Sequence, residues 1–211
     1  MDRYQRMPLT LASASTRTDL SRLLDLGLVL LFSPLLVSLA AAAALWIKLD
    51  SLKDPILFRQ WRTGQNGRRF HMLKFRTMVV DAEERKAELA AQNLLQWPDF
   101  KVRNDPRITR PGRFLRRTSL DELPQLWNVI VGDMSLVGPR PTSFDATTYD
   151  LWHTERLDTR PGITGLYQVV GRGTIEFDQR ARLDISYGRR RTLMSDLMVL
   201  LRTLPAAFKG Q

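Results

Sequence analysis

The apolar stretch at residues 23–47 limits what this chain can fold into more than any other feature. It reads LLDLGLVLLFSPLLVSLAAAAALWI, which is long enough to cross a hydrocarbon core of about 30 Å as a straight helix. Soluble core helices are seldom apolar over such a length, and the stretch is too long for the apolar part of a cleaved signal peptide. We therefore expect a segment that enters a membrane.

Two features of this stretch favour a re-entrant hairpin over a tilted single span. Pro34 lies near its centre and should kink a helix, while Ser33 can bond the carbonyl that proline leaves free. Basic residues flank the stretch on both sides: Arg3, Arg6, Arg17, Arg22, Lys48, Lys53, Arg59 and Arg62. The positive-inside rule keeps both flanks on the cytoplasmic side, so the chain should enter and leave the membrane through the same face.

The remaining pattern predicts an α+β, mainly helical chain. The runs 56–61 and 69–75 flank Asn66-Gly67, which is typical of a β-hairpin. Residues 81–95 are rich in Ala, Glu, Lys and Leu and should form a helix. The apolar residues of 192–208 recur at helical spacing, which fits an amphipathic helix at a membrane surface and core packing equally well.

The charge balance narrows the classes of partner. Lys and Arg exceed Asp and Glu by 32 to 22, a formal net charge of +10, which favours nucleic acid, anionic lipid or phosphorylated substrates. No aromatic-basic platform or helix-turn-helix pattern supports nucleic acid. The chain has no cysteine, which excludes disulfide and thiolate chemistry. His71 and His153 are isolated, and packed or surface positions are favoured over a role as zinc ligands.

Adjacent carboxylates, Asp121 and Glu122, are the first candidate for chemistry. Ser119 and Glu122 match a capping box, whereas Pro124 suggests a helix that begins after the pair. Either arrangement puts both carboxylates at a helix N-terminus, where the helix dipole favours their ionised forms. Taken alone, the pair fits ordinary helix capping with a surface salt bridge to Arg116 or Arg117.

The chemical alternative is attack on phosphorus. A carboxylate is a competent nucleophile toward phosphate when Mg²⁺ and cationic side chains neutralise the phosphate charge. Adjacent helical residues point about 100° apart, so one carboxylate can face the substrate while the other binds the metal or a second reactant. The basic side chains that could bind phosphate are Lys74, Arg107, Arg113, Arg116, Arg117, Arg140, Arg160 and Arg172.

Long motifs carry a resemblance to a known family. They are KFRTM at residues 74–78, DPRIT at 105–109, RFLRRTSLDELPQ at 113–125, GDMSLVGPRP at 132–141, RPGITG at 160–165 and DISY at 184–187. The chain resembles the monotopic phosphoglycosyl transferases of the bacterial sugar transferase family, in their minimal catalytic form. The resemblance extends from about residue 20 to the C-terminus and favours chemistry over helix capping.

This resemblance implies a reaction and roles for particular residues. The family moves a sugar-1-phosphate from a UDP-sugar to a polyprenyl phosphate such as undecaprenyl phosphate, and UMP leaves first. Asp121 would be the nucleophile that carries a covalent phosphosugar, and Glu122 would assist through Mg²⁺ or by handling the acceptor phosphate. Residues that match substrate-contacting positions are Arg116, Arg140 and Arg172, with Pro139 and Pro141 completing the Pro-Arg-Pro loop.

The resemblance also implies a layout. We expect a tail at 1–19, a re-entrant membrane helix at 20–48 broken at Ser33-Pro34, and a cytoplasmic catalytic domain with interfacial helices at 49–211. The protein would act on the cytoplasmic face of the bacterial inner membrane, in contact with anionic lipids, at the first membrane step of exopolysaccharide or lipopolysaccharide assembly. A non-catalytic basic membrane scaffold and a nucleic-acid-binding protein are the alternatives. The sugar and any homo-oligomer stay open.

Overall fold

The architecture is mainly helical and includes two small sheets. The computed structural model describes residues 11–93, 100, 102–170 and 176–208. In chain order the helices are α1 (Leu11–Asp50), α2 (Arg110–Arg117), α3 (Gln125–Val131), α4 (Leu166–Val170), α5 (Phe177–Arg190) and α6 (Leu193–Phe208). The strands are β1 (Leu57–Thr63), β2 (Arg69–Phe75), β3 (Ser135–Val137) and β4 (Gly162–Thr164).

The long helix α1 contains the apolar stretch and continues through Pro34. Its segment Leu20–Asp50 contains a window of 18 residues with a mean hydropathy of 2.4, and the segment is long and apolar enough to cross a membrane. Proline removes the N–H that would bond Leu30, and the Ser33 hydroxyl donates to that carbonyl instead, at 2.8 Å. The proposed use of Ser33 is confirmed, but the hairpin is not, since the helix is unbroken.

Helix α1 packs on the rest of the protein on both sides of residues 30–39, none of which is buried. Near the N-terminal end, Asp25 accepts hydrogen bonds from the Ser135 hydroxyl at 2.7 Å and the Leu136 amide at 3.1 Å. Near the other end, Ala43 and Ile47 are buried in an apolar cluster with Phe75 and Leu115. Apolar side chains at the centre are exposed: Leu30, Leu31, Phe32, Leu35 and Val37.

The predicted β-hairpin is confirmed. β1 and β2 pair antiparallel, with Thr63 opposite Arg69. Asn66 and Gly67 make the turn with φ of 55° and 77°, the left-handed region that these two residue types adopt most readily. One face of β2 supplies Phe70 and Met72 to a core cluster with Val129 of α3.

The helix predicted over 81–95 is wrong for the part that the structure describes. Only two 3-10 turns form there, Glu84–Lys86 and Ala90–Gln92, and no residue of 81–93 is buried. A segment without a buried face lacks the packing that makes a short helix stable, whatever its propensity. Leu94 and Leu95 lie outside the described residues.

The C-terminal half contains a second sheet that the pattern did not predict. β3 and β4 pair in parallel, with Ser135 opposite Gly162, so part of the RPGITG motif at 160–165 is a strand. Helix α6 forms as predicted and packs Val199 against Val137 and Tyr187. Five other apolar side chains of the helix are exposed: Leu193, Met194, Leu197, Met198 and Leu201.

Candidate active site

Asp121 and Glu122 lie in a 3-10 turn, Leu120–Glu122, between α2 and α3. The capping box is wrong, because Ser119 is left-handed at φ 58° and its side chain makes no capping bond. Helix α3 begins after Pro124, the alternative arrangement. The carboxylates therefore precede the helix rather than cap it, and side chains, not a helix dipole, dominate their charge state.

Glu122 is fixed by two cations. Its Oε1 accepts from Lys74 Nζ and from Arg140 Nη2, each at 2.8 Å. Burial alone would raise the pKa of Glu122, but Arg140 and Lys74 outweigh it and hold that pKa far below its ordinary value. Glu122 in turn raises the pKa of Arg140. The glutamate is thus ionised and already paired.

Asp121 is in the opposite situation, although it is the next residue. It is 8% exposed, and its carboxylate makes no hydrogen bond within the described part of the chain. Burial raises the pKa of Asp121, and Lys74, Arg116 and Arg140 offset that rise only in part. A carboxylate that faces cations without being bonded to them remains available for a new bond.

Helix α2 brings Arg116 to this cluster. Thr109 caps the helix by accepting from the Gly112 amide at 3.1 Å. Gly112 lies against Thr77, two residues after the end of β2, so closely that any side chain on Gly112 would overlap the Thr77 carbonyl. This contact aligns the helix, and Arg116 Nε donates to the Thr77 hydroxyl at 2.8 Å.

The Pro-Arg-Pro loop follows β3 and is held by the 160–165 motif. Pro139 and Pro141 are buried. The Gly138 amide donates to the Thr164 carbonyl at 2.8 Å, and the Gly162 amide to the Pro139 carbonyl at 3.0 Å. Two motifs that are separate in sequence therefore form one rigid platform, from which the Arg140 side chain reaches Glu122.

Other predicted site residues have different surroundings. Arg107 binds Asp105 at 2.7 Å in a buried ion pair and also donates to the Ala82 carbonyl at 2.9 Å. Burial lowers the pKa of Arg160, as do the nearby cations Arg22 and Arg191. Neither guanidinium bonds either dyad carboxylate in the described structure, so their substrate-binding roles stay predictions.

No contact in the described structure tests the other basic side chains that were predicted to bind phosphate. Arg113 and Arg117 of α2 are exposed, and Arg172 lies outside the described residues. The two histidines occupy an exposed and a buried position, respectively. His71 stacks on Trp61, and buried His153 bonds Asp178 through Nε2 at 2.9 Å.

Arg156 is a residue of this region that no sequence motif indicates. This residue lies in a 3-10 helix, Leu151–Asp158, and pairs with buried Asp184 at 2.6 Å. The DISY motif contained Asp184, but nothing in the pattern around Arg156 signals a buried guanidinium.

The donor set is compatible with magnesium supplied together with a phosphate substrate. Within the described ranges no three Asp, Glu or His side chains converge, so a cage made only of protein is not formed there. Mg²⁺ commonly uses one or two carboxylates plus substrate phosphates. The unbonded carboxylate of Asp121 fits that mode, whereas one oxygen of Glu122 already binds two cations.

Comparison with known proteins assigns the chain to a family. The family model described as bacterial sugar transferase matches residues 16–210. The chain belongs to the bacterial sugar transferase family. Both carboxylates of the dyad, the Pro-Arg-Pro loop and most of α1 lie inside the region matched by this bacterial sugar transferase model.

Curated relatives in the family carry informative names. The chain is 46% identical over 74% of its length to the galactosyl transferase CpsE of Streptococcus agalactiae, covering 35% of that protein. It is 42% identical over 83% of its length to the undecaprenyl-phosphate galactose phosphotransferase of Salmonella typhimurium, covering 37%. It is 44% identical over 88% of its length to the UDP-glucose:undecaprenyl-phosphate glucose-1-phosphate transferase of Caulobacter vibrioides, covering 68%. The chain thus spans little more than a third of the first two relatives.

Proposed function

We propose that this protein transfers a sugar-1-phosphate from a UDP-sugar to a polyprenyl phosphate such as undecaprenyl phosphate, and releases UMP. The names of the relatives support the substrates. The observation that carries the chemistry is the contrast within the dyad. Asp121 is buried and faced by cations, and its carboxylate makes no hydrogen bond in the described structure, whereas adjacent Glu122 is paired with Lys74 and Arg140.

In the first step, an Asp121 carboxylate oxygen attacks the phosphorus that bears the sugar. An O–P bond forms to Asp121, the bridging P–O bond of the diphosphate breaks, and UMP leaves with that electron pair. Lys74, Arg116 and Arg140 lie around the carboxylate and can stabilise the negative charge that develops on the phosphate oxygens.

In the second step, a phosphate oxygen of the polyprenyl carrier attacks the same phosphorus. The bond to Asp121 breaks, which restores its carboxylate and leaves the sugar on a polyprenyl diphosphate. Asp121 and Glu122 are the residues that would hold Mg²⁺, and the ion would supply additional neutralisation of phosphate charge when bound. Glu122 keeps Lys74 and Arg140 in place through both steps.

The protein would do this while attached to the cytoplasmic face of the bacterial inner membrane. Both ends of α1 contact the same domain, through Asp25 at one end and Ile47 at the other, which supports a monotopic arrangement with the Ser33-Pro34 region deepest in the bilayer. Exposed apolar side chains on α3 and α6, among them Trp127 and Met194, suit the headgroup layer beside anionic lipids.

Release of UMP tests this function. The protein in detergent or nanodiscs is incubated with undecaprenyl phosphate, Mg²⁺ and a panel of UDP-sugars that includes galactose, glucose and N-acetylated hexosamines. We expect UMP and a sugar-diphosphate lipid in equal amounts with at least one donor, and neither with Asp121→Asn. A folded wild-type protein that yields no UMP with any donor would contradict the proposal and favour a scaffold.

A further inference from the structure

Arg156 forms a buried ion pair beside the Pro-Arg-Pro loop. Its side chain is 5% exposed and that of its partner Asp184 is 3% exposed, with Nη2 to Oδ2 at 2.6 Å. Removing both charges from water costs desolvation free energy that can exceed the attraction between them, so such a pair is weak evidence for a purely stabilising role. What the guanidinium does besides pairing is therefore informative.

The same guanidinium binds the backbone of the loop at Arg140. Arg156 Nη2 donates to the Arg140 carbonyl at 2.9 Å. Its Nη1 donates to the Tyr149 hydroxyl at 3.3 Å, and that hydroxyl bonds the Thr142 side chain. Arg156 thus connects Asp184 of α5 to the residue whose side chain pairs with Glu122.

The carbonyls on either side of Arg140 are bound by other elements. The Gly162 amide binds the Pro139 carbonyl at 3.0 Å, and Arg62 Nη1 binds the Pro141 carbonyl at 3.4 Å. Within the described structure, the side chain that donates a hydrogen bond to the Arg140 carbonyl is that of Arg156. A bound carbonyl fixes the orientation of its peptide plane, and hence the direction in which the Arg140 side chain leaves the backbone.

We infer that Arg156 is a positioning residue, which fixes the backbone of Arg140 so that the Arg140 guanidinium meets both Glu122 and the donor phosphate. This inference rests on the proposed function. Lysine cannot take over the task, because an ammonium group lacks the planar fork that serves Asp184, Tyr149 and the Arg140 carbonyl at once. Arg156 itself touches neither carboxylate of the dyad in the described contacts.

A double-mutant cycle on UMP release tests the inference. Arg156→Lys should lower kcat about tenfold in the wild-type background, the scale of one charge-assisted hydrogen bond. In an Arg140→Ala background the same change should lower kcat less than about twofold, because the residue it positions is gone. Where Arg140→Ala turns over too slowly for a steady-state kcat, the same cycle is measured from single-turnover UMP release with the enzyme in excess of the UDP-sugar, with the same expectation.

The matched control is Arg191→Lys. Arg191 binds Asp196 at 2.9 Å in another largely buried pair and makes no bond to Arg140 within the described contacts, so any effect on kcat should be the same factor in both backgrounds. If Arg156→Lys does not fold, Tyr149→Phe takes its place in the cycle, because it removes one hydrogen-bond partner of Arg156 without changing charge. Its effect on kcat should depend on residue 140 in the same way and be smaller.

The outcomes separate this inference from the function. Equal losses for Arg156→Lys in both backgrounds, with wild-type turnover intact, would overturn the positioning role and leave the transferase assignment standing. Absence of UMP release from the folded wild type with every donor would instead overturn the function, and the inference with it.

Discussion

Asp121 and Glu122 are neighbours in sequence, yet their surroundings give their carboxylates different capacities. Glu122 exchanges water for two cationic partners, Lys74 and Arg140, so burial costs it little. Asp121 loses water without gaining a hydrogen-bonded partner among the described residues, and its pKa rises because of that burial. One carboxylate holds the cations in place, and the other keeps the capacity to form a bond to phosphorus.

Replacing Asp121 should separate activity from stability. Burial raises the pKa of Asp121 in the folded protein. The protonated side chain is therefore favoured in the fold, and the free energy of unfolding falls as pH rises from the ordinary pKa of aspartate through the raised value. Asp121→Asn should therefore abolish UMP release and leave Tm at neutral pH unchanged or higher. Exposed Asp50→Asn is the control and should keep full activity. A clear drop in Tm for Asp121→Asn would contradict this description of the site.

Replacing Glu122 should have the reverse effect on stability. Glu122→Gln leaves Lys74 and Arg140 without their anion and should cost about 2 kcal/mol at neutral pH. The pKa of Glu122 is lowered in the fold, so its contribution is present above about pH 4.3 and is lost as pH falls further. Chemical unfolding in detergent from pH 7 to pH 3 measures this. The exposed Glu88→Gln control should show no loss, and a Glu122→Gln penalty that does not shrink in acid would contradict the pairing.

At the scale of elements, close backbone contacts place the site's cations. Helix α2 lies on Thr77 through Gly112, and the Pro-Arg-Pro loop lies on residues 160–164 through Gly138, where any side chain would overlap the Arg160 carbonyl. These glycines leave no room for adjustment, so Arg116 and Arg140 are held by rigid supports. Rigid placement of charge is what phosphoryl transfer requires.

Gly112→Ala tests the support of α2. The added methyl would overlap the Thr77 carbonyl and should cost about 1–3 kcal/mol as overpacking, with a loss of activity since Arg116 moves with the helix. Gly27→Ala on α1 is a matched control, because nothing lies within 4 Å of its added methyl, and it should leave both quantities close to wild type. Wild-type activity and Tm for Gly112→Ala would show that α2 does not depend on this contact.

Elements with a local cause could be predicted from the sequence. The β1–β2 hairpin follows from Asn66-Gly67, and α6 from its apolar spacing. The helix expected over 81–95 failed because propensity without a buried face does not hold a helix. The capping box failed because Ser119 adopts a left-handed backbone that its pattern does not reveal.

The site could be predicted only in part. Long motifs pointed to Asp121, Glu122, Lys74 and Arg140 as one site, but no local pattern shows that Glu122 binds both cations with one oxygen. The Arg156 contacts reach 16 and 28 residues along the chain, and such non-local pairs leave no periodicity to detect.

At the scale of the whole molecule, α1 packs on the rest of the protein on both sides of its exposed apolar segment. Its first buried turns bond β3 through Asp25, and its last ones pack on Phe75 and Leu115. The dyad follows α2, which packs against the same end of α1 through Leu115. The height of Asp121 above the membrane would therefore be set by how deeply the anchor sits, which is what transfer between a soluble donor and a lipid acceptor needs.

Cysteine labelling tests the topology, since the chain has no cysteine of its own. Thr18→Cys and Leu52→Cys, on the two sides of the apolar stretch, should both react with a membrane-impermeant maleimide in inside-out vesicles and not in right-side-out ones. Leu35→Cys, at the exposed centre of α1, should stay unlabelled in both. Labelling of Thr18→Cys and Leu52→Cys from opposite sides would establish a single span and refute the monotopic arrangement.

The account depends most on a bond between phosphorus and Asp121. Wild-type protein is incubated with its UDP-sugar without polyprenyl phosphate, quenched, and analysed by intact mass and peptide mapping. We expect a sugar-phosphate on Asp121, one UMP per adduct, and loss of the adduct when polyprenyl phosphate is added. Formation of the lipid product with no adduct at Asp121 on the time scale of turnover would contradict the account.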